Sequence, residues 1–162
     1  MHQHHIAHLD ISLRNILTDN RGHYSSIDYE LSRRFDSSIP NPRIHGHRAT
    51  EVPPEFERGE AGDPYKADVW ALAVLILRAC QVCFNPIGLF RLLMNNPIQS
   101  TGFHVPELLQ LTRSMLHDDP DKRPSASMVQ RVFDSMIPTI NEARLRGVYG
   151  LALNLNFHLC SV

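Results

Sequence analysis

Three oxygen-bearing side chains, Asp10, Asn15 and Asp28, lie within a short stretch near the start of the sequence. Between the last two run Ile16-Leu17-Thr18 and Tyr24-Ser25-Ser26-Ile27, short segments with β-branched or aromatic residues, separated by the turn formers Asp19-Asn20-Arg21-Gly22. That pattern predicts a β-hairpin. With Thr18 facing His23 across the turn, counting back along both arms brings Asn15 and Asp28 together at the open end, and Asp10 sits on the loop just upstream. A carboxylate and an amide oxygen suit Mg²⁺, a hard ion that keeps phosphate and water in its remaining positions. A further carboxylate beside them, Asp10, can orient an attacking hydroxyl and accept its proton. These are the parts of a site that moves a phosphoryl group. Asp and Asn also flank many hairpins because they favour turns and caps, so these residues alone leave the choice open.

Further motifs follow in order. His8-Leu9-Asp10-Ile11-Ser12-Leu13-Arg14-Asn15 and Asp28-Tyr29-Glu30 are followed by Pro53-Pro54-Glu55, Asp68-Val69-Trp70-Ala71-Leu72-Ala73 and Asp119-Pro120-Asp121-Lys122-Arg123-Pro124-Ser125. This series resembles the eukaryotic protein kinases, whose H-R-D-x-x-x-x-N and D-F-G motifs are followed by A-P-E, D-x-W-S-x-G and D-P-x-x-R-P-S. Leu9 stands for Arg, Tyr29 for Phe, Glu30 for Gly, and Ser12 for the Lys two places after the catalytic Asp. The resemblance runs from about His4 to about Met136.

The resemblance implies a mainly α fold, a kinase-like C-terminal helical lobe over residues 1–143 with a short β-hairpin bearing the catalytic loop, and a tail of unknown role over 144–162. It implies transfer of the γ-phosphoryl of ATP to a Ser/Thr or Tyr hydroxyl of a protein, with ATP and Mg²⁺ as cofactors. In that reading Asp10 is the base, Arg14 or Ser12 is near phosphate or substrate, and Asn15 and Asp28 hold metal and nucleotide. His8, Tyr29, Glu55, Asp68 and Arg123 are structural, Asp68 accepting backbone N–H bonds near His8 and Glu55 pairing with Arg123. Only seven residues precede His8, so the Gly-rich loop, strand Lys and helix Glu that clamp ATP in the family are expected to be missing from these 162 residues. The chain alone is expected to be inactive. Leu9 and Glu30 keep a second reading open, a pseudokinase-like scaffold that presents its helices to a partner protein.

The elements that must position these residues are mostly helical. A long apolar run from Tyr65 to Cys83, with Asp63 or Pro64 as its start, predicts a buried central helix. Shorter helices are expected over Ile87 to Asn95, Val105 to His117, and Ser125 to Glu142 behind a Ser cap. Leu31 to Pro64 shows no sustained periodicity. It lies where the family carries its activation segment, and Leu9 cannot receive a phosphate on Ser32, Ser37, Ser38 or Thr50 as an Arg would. Leu151 to Leu159 alternates as a half-buried strand would.

Composition sets the outer bounds. The chain has 162 residues, 43% hydrophobic and 20% charged, with a net charge of −1, which is one ordinary globular domain with no electrostatic case for nucleic acid or an anionic membrane. The kinase resemblance implies a protein as substrate or partner. Three cysteines, Cys80, Cys83 and Cys160, argue against a disulfide framework, and Cys80 with Cys83 reads as buried thiols. His2, His4 and His5 have no matching ligand set downstream. The start lacks a basic segment and a long apolar core, so a cytoplasmic or nuclear location is expected.

Overall fold

The computed structural model describes residues 1–19, 21, 23–84 and 106–137. The expected helix over Ile87 to Asn95, the cysteine side chains and the alternating tail lie outside the described residues. Among the described residues, four short strands, β1 (Ile6–Ala7), β2 (Ile16–Thr18), β3 (Tyr24–Ser26) and β4 (Arg33–Arg34), precede four α-helices. The helices are α1 (Pro54–Glu57), α2 (Pro64–Phe84), α3 (Pro106–Met115) and α4 (Ala126–Met136).

Helix α2 is the spine. Pro64 opens it, where a missing N–H costs nothing, and Asp63 caps it by accepting from the N–H groups of Tyr65 and Lys66 at 2.8 and 3.3 Å. Ala67 on its first turn packs with Ala7, Leu9, Ile44 and Phe56. Further along, Val69 and Ala73 pack with Leu111 and Met115 of α3 and Met136 of α4. One helix thus joins a small core under the strands to a second core between helices. Helix α4 begins where Ser125 Oγ accepts from Met128 N–H, and it turns Val129, Val132, Phe133 and Met136 to that second core at helical spacing.

The strands depart from expectation in three ways. The β2–β3 register pairs Thr18 with Tyr24, not His23. Asp19 is the cause: its carboxylate accepts from the N–H groups of Arg21 and His23 at 2.8 and 3.1 Å, and its own N–H donates to His23 O. His23 therefore faces Asp19, and Asn15 faces Ile27, whose N–H donates to Asn15 O at 2.9 Å. A second antiparallel ladder joins β1 to β4, Ile6 opposite Arg34 and Ala7 opposite Arg33. Finally, the stretch from Leu31 to Pro64 is less irregular than its composition indicates. It contains β4, a bridge between Ile44 and Gly62, and α1, a single turn in which Pro54 occupies the first helical position.

Candidate active site

The loop carrying Asp10 is shaped by one buried carboxylate. Asp68, on the first turns of α2, accepts from the backbone N–H groups of His8 and Leu9, each at 2.8 Å, and meets His2 Nε2 at 2.8 Å. Leu9 takes a left-handed backbone with φ of 64°, a conformation that costs an ordinary L-residue about 1–2 kcal/mol. Its N–H bond to Asp68 and its side chain, 5% exposed in the small core, hold it there. His8 is buried beside it. Its Nδ1 accepts from Asp10 N–H at 3.3 Å, and its ring lies 5.0 Å from that of Tyr29. The Tyr29 hydroxyl closes back on Ser26 O at 2.7 Å.

Both oxygens of Asp10 are engaged. Oδ2 accepts from Asn15 Nδ2 at 2.9 Å and Oδ1 from Thr50 N–H at 2.9 Å. Asn15 Nδ2 also donates to Asp10 O, which leaves the amide oxygen on the side away from Asp10. Asp28 follows Ile27, the residue opposite Asn15, and it is exposed with a left-handed φ of 62°. Arg14 is exposed and donates to Thr50 Oγ1 at 2.7 Å. Ser12, by contrast, is 1% exposed and its Oγ has no hydrogen-bond partner among the described residues, so Arg14 is the reachable one of the two.

Charge follows these contacts. Partial burial pushes the Asp10 carboxyl up, but hydrogen bonds from Thr50 and Asn15 and the nearby His8 outweigh it and hold the group below the ordinary carboxylate range. Asp10 is therefore ionised at neutral pH. Burial raises the neighbouring Glu51 carboxyl against the opposing pull of Arg78 and Arg14, and Arg78 Nη2 donates to it at 2.8 Å.

Away from the loop, Arg123 and Glu55 meet in a fork, Nη1 to Oε1 at 2.8 Å and Nη2 to Oε2 at 2.6 Å, both residues 1% exposed. The other guanidinium N–H groups reach the carbonyls of His117, Lys66 and Asp118. Lys66 Nζ in turn donates to Arg123 O. The side chain has no donor left over.

The sequence pattern of the protein kinase domain matches residues 1–133. The chain belongs to the protein kinase family. It is 31% identical over 129 residues to CBL-interacting protein kinase 25 of Oryza sativa subsp. japonica, covering 75% of this chain and 25% of that one. It is 25% identical over 137 residues to CBL-interacting serine/threonine-protein kinase 5 of Arabidopsis thaliana, covering 80% of this chain and 31% of that one. The chain thus spans less than a third of the length of these two relatives.

Two residues of this kinase-family loop escape a reading of the sequence. His2 is one of several histidines at the start, and nothing local marks it as the one that reaches Asp68. Thr50 stands in a stretch without periodicity, and its contact with Asp10 spans 40 residues. Among the described residues no group of three or more His, Cys, Asp or Glu side chains is gathered to hold a metal ion by itself, and no helix is long and apolar enough to cross a membrane.

His47 supplies a pH dependence. Burial against Phe56, ring centroids 5.0 Å apart, pushes its imidazole below the ordinary value despite the pull of Asp68, Asp10 and Glu55. The unfolded chain then binds more protons as pH falls below about 6.5, so stability is full above that value and is lost as pH drops through the folded pKa. Thermal midpoints of wild type and His47→Gln between neutral and mildly acid pH check this. The variant is expected to show the shallower decline, and parallel curves would remove His47 as the source.

Proposed function

We propose that this chain carries the acceptor side of a protein kinase site, in which the γ-phosphoryl of ATP passes to a protein hydroxyl, and that residues 1–162 alone turn over too slowly to serve as an enzyme. The observation that supports it is the fixed Asp10 carboxylate, ionised, held by Asn15 and Thr50 on a loop pinned by Asp68. A carboxylate has about four acceptor positions, so Asp10 can still take a hydrogen bond from an incoming Ser, Thr or Tyr hydroxyl, orient it and accept its proton. Asn15 Oδ1 and the exposed Asp28 carboxylate are the two hard donors that would hold Mg²⁺, and phosphate and water would complete its shell. When bound, Mg²⁺ and ATP supply the phosphoryl group and neutralise charge developing on it. Arg14 is placed to contact acceptor or phosphate. Residues 1–143 form the kinase-like C-terminal lobe of this reading, with the β2–β3 hairpin beside the catalytic loop.

The Arabidopsis relative is named a serine/threonine-protein kinase, and a Ser or Thr hydroxyl is the acceptor that Asp10 would take here. A second reading, a pseudokinase-like scaffold for partner proteins, draws on Leu9, which packs in the core where the family's Arg would offer a guanidinium. The two part on metal binding. Manganese, a paramagnetic stand-in for Mg²⁺, should broaden NMR signals around Asn15 and Asp28 in the wild type and leave them sharp in Asp28→Ala. Equal effects in both chains would sink the catalytic reading. Incubated with labelled ATP, Mg²⁺ and generic acceptors, the isolated chain is expected to show no turnover above background, because phosphoryl transfer rests on positioning that these residues do not supply to ATP. Turnover of order one per second, lost in Asp10→Asn, would overturn that expectation.

A further inference from the structure

The near-zero net charge conceals a separation along the chain. Residues 31–50 contain Arg33, Arg34, Arg43 and Arg48 against Asp36 alone, whereas residues 51–63 contain Glu51, Glu55, Glu57, Glu60 and Asp63 against Arg58 alone. Most acids of the second group are already engaged: Glu55 by Arg123, Glu51 by Arg78, Glu60 by Arg58, and Asp63 as the cap of α2. Asp36 takes the N–H of Ser38. Arg33, Arg34 and Arg48, with Arg14 from the loop, are all exposed, and among the described residues none of them has a carboxylate within ion-pair distance.

These four arginines lie on segments that adjoin the Asp10 loop. Arg14 donates to Thr50 Oγ1 at 2.7 Å, and Thr50 N–H donates to Asp10 at 2.9 Å. Arg48 lies two residues before Thr50. Arg33 and Arg34 form β4, paired with β1, which leads directly into His8-Leu9-Asp10.

We propose that this basic rim docks an acidic peptide segment, Glu- or Asp-rich on either side of the hydroxyl presented to Asp10. The inference rests on the reading of Asp10 as the acceptor-side base only for what the peptide presents there. Exposed guanidiniums without acidic partners, on the segments beside one carboxylate, favour a ligand neutral at the centre and negative at its flanks. A continuous polyphosphate backbone cannot do this. It would carry charge past Asp10 and past the exposed carboxylates of Asp28 and Glu30, and like charges held close together repel. A peptide is therefore favoured over nucleic acid.

The test uses the whole chain and fluorescence anisotropy with short labelled peptides that carry a central threonine flanked by Glu and Asp, by Gln, or by Lys. A single-stranded oligonucleotide of the same net charge serves as competitor. The acidic peptide is expected to bind about tenfold or more tighter than the Gln peptide at low ionic strength, with the difference shrinking as salt screens it. Arg33→Glu with Arg48→Glu should abolish the preference, Arg33→Gln with Arg48→Gln should weaken it, and Arg58→Glu, outside the rim, should leave it intact. Circular dichroism confirms that each variant is folded. Equal binding of the three peptides, wild-type affinity in the folded double reversal, or an oligonucleotide that outcompetes the acidic peptide would each overturn the proposal. Acidic-peptide binding without the Asp28-dependent manganese effect would refute the catalytic reading and leave the docking surface standing. The manganese effect without acidic preference would refute the docking surface alone.

Discussion

Arg123→Ala is expected to destabilise the chain by about 3–5 kcal/mol, a fall in the unfolding midpoint on the order of 10 °C. The loss comes less from the ion pair than from what its removal leaves behind. Glu55 is 1% exposed, and without the guanidinium it becomes a buried carboxylate with no counter-charge, while the carbonyls of His117, Lys66 and Asp118 lose a donor. Arg58 makes a useful comparison, since it also pairs with acids, Glu60 and Asp118, but at the surface. Pairs of that kind contribute little, so Arg58→Ala should leave the midpoint nearly unchanged. Replacing both buried partners, Glu55→Leu with Arg123→Met, should recover part of the loss, because the stranded charge is then gone. Similar midpoints for Arg123→Ala and Arg58→Ala in thermal unfolding would show that the fork adds nothing.

Asp68→Ala is the second large effect. The substitution leaves the N–H groups of His8 and Leu9 without their acceptor inside the protein, at about 1–3 kcal/mol for each stranded donor. It also releases a left-handed residue from the contact that holds it. Asp68→Asn is the sharper probe. Its shape is unchanged, but its amide can accept through one oxygen and must turn an NH₂ toward the other donor. Amide hydrogen exchange at His8 and Leu9 should separate the cases: slow in the wild type, faster at one position in Asp68→Asn, and fast at both in Asp68→Ala. Unaltered exchange in Asp68→Ala would mean that other contacts fix this loop.

What the sequence discloses about this fold depends on whether the cause is local. Asp63-Pro64 and Ser125 announce helix starts because capping is settled within three residues, and both caps form. The amphipathic spacing of α4 is equally local. The β2–β3 register is off by one because the competing hydrogen bonds of Asp19 to Arg21 and His23 are a choice among several turn geometries that the residue types all permit. The β1–β4 ladder is two residues long on each side, too short to show alternation, and its strands are distant in sequence. Pro53-Pro54 falls in the stretch without periodicity, yet a proline is well suited to the first position of the single turn α1. In the candidate site, Asp10, Asn15 and Asp28 are visible as residue types. Thr50 and His2 are not, since each acts through a contact made only after distant segments meet.

Those distances also set an order of assembly. The β2–β3 hairpin closes over a few residues, whereas Asp68 reaches His8 across 60 positions and Arg123 reaches Glu55 across 68. Closing a loop of such length costs about 3–4 kcal/mol of chain entropy before any contact repays it. The hairpin can therefore form early, but Leu9 takes its left-handed turn only once α2 has docked, and the turn of α1 is anchored only when Arg123 arrives. During synthesis, residues 8–10 leave the ribosome well before Asp68, so the shape of their loop waits for a later segment. A nascent chain stopped short of Arg123 would carry the Asp10 loop and its hairpin while Glu55 still waited for its counter-charge.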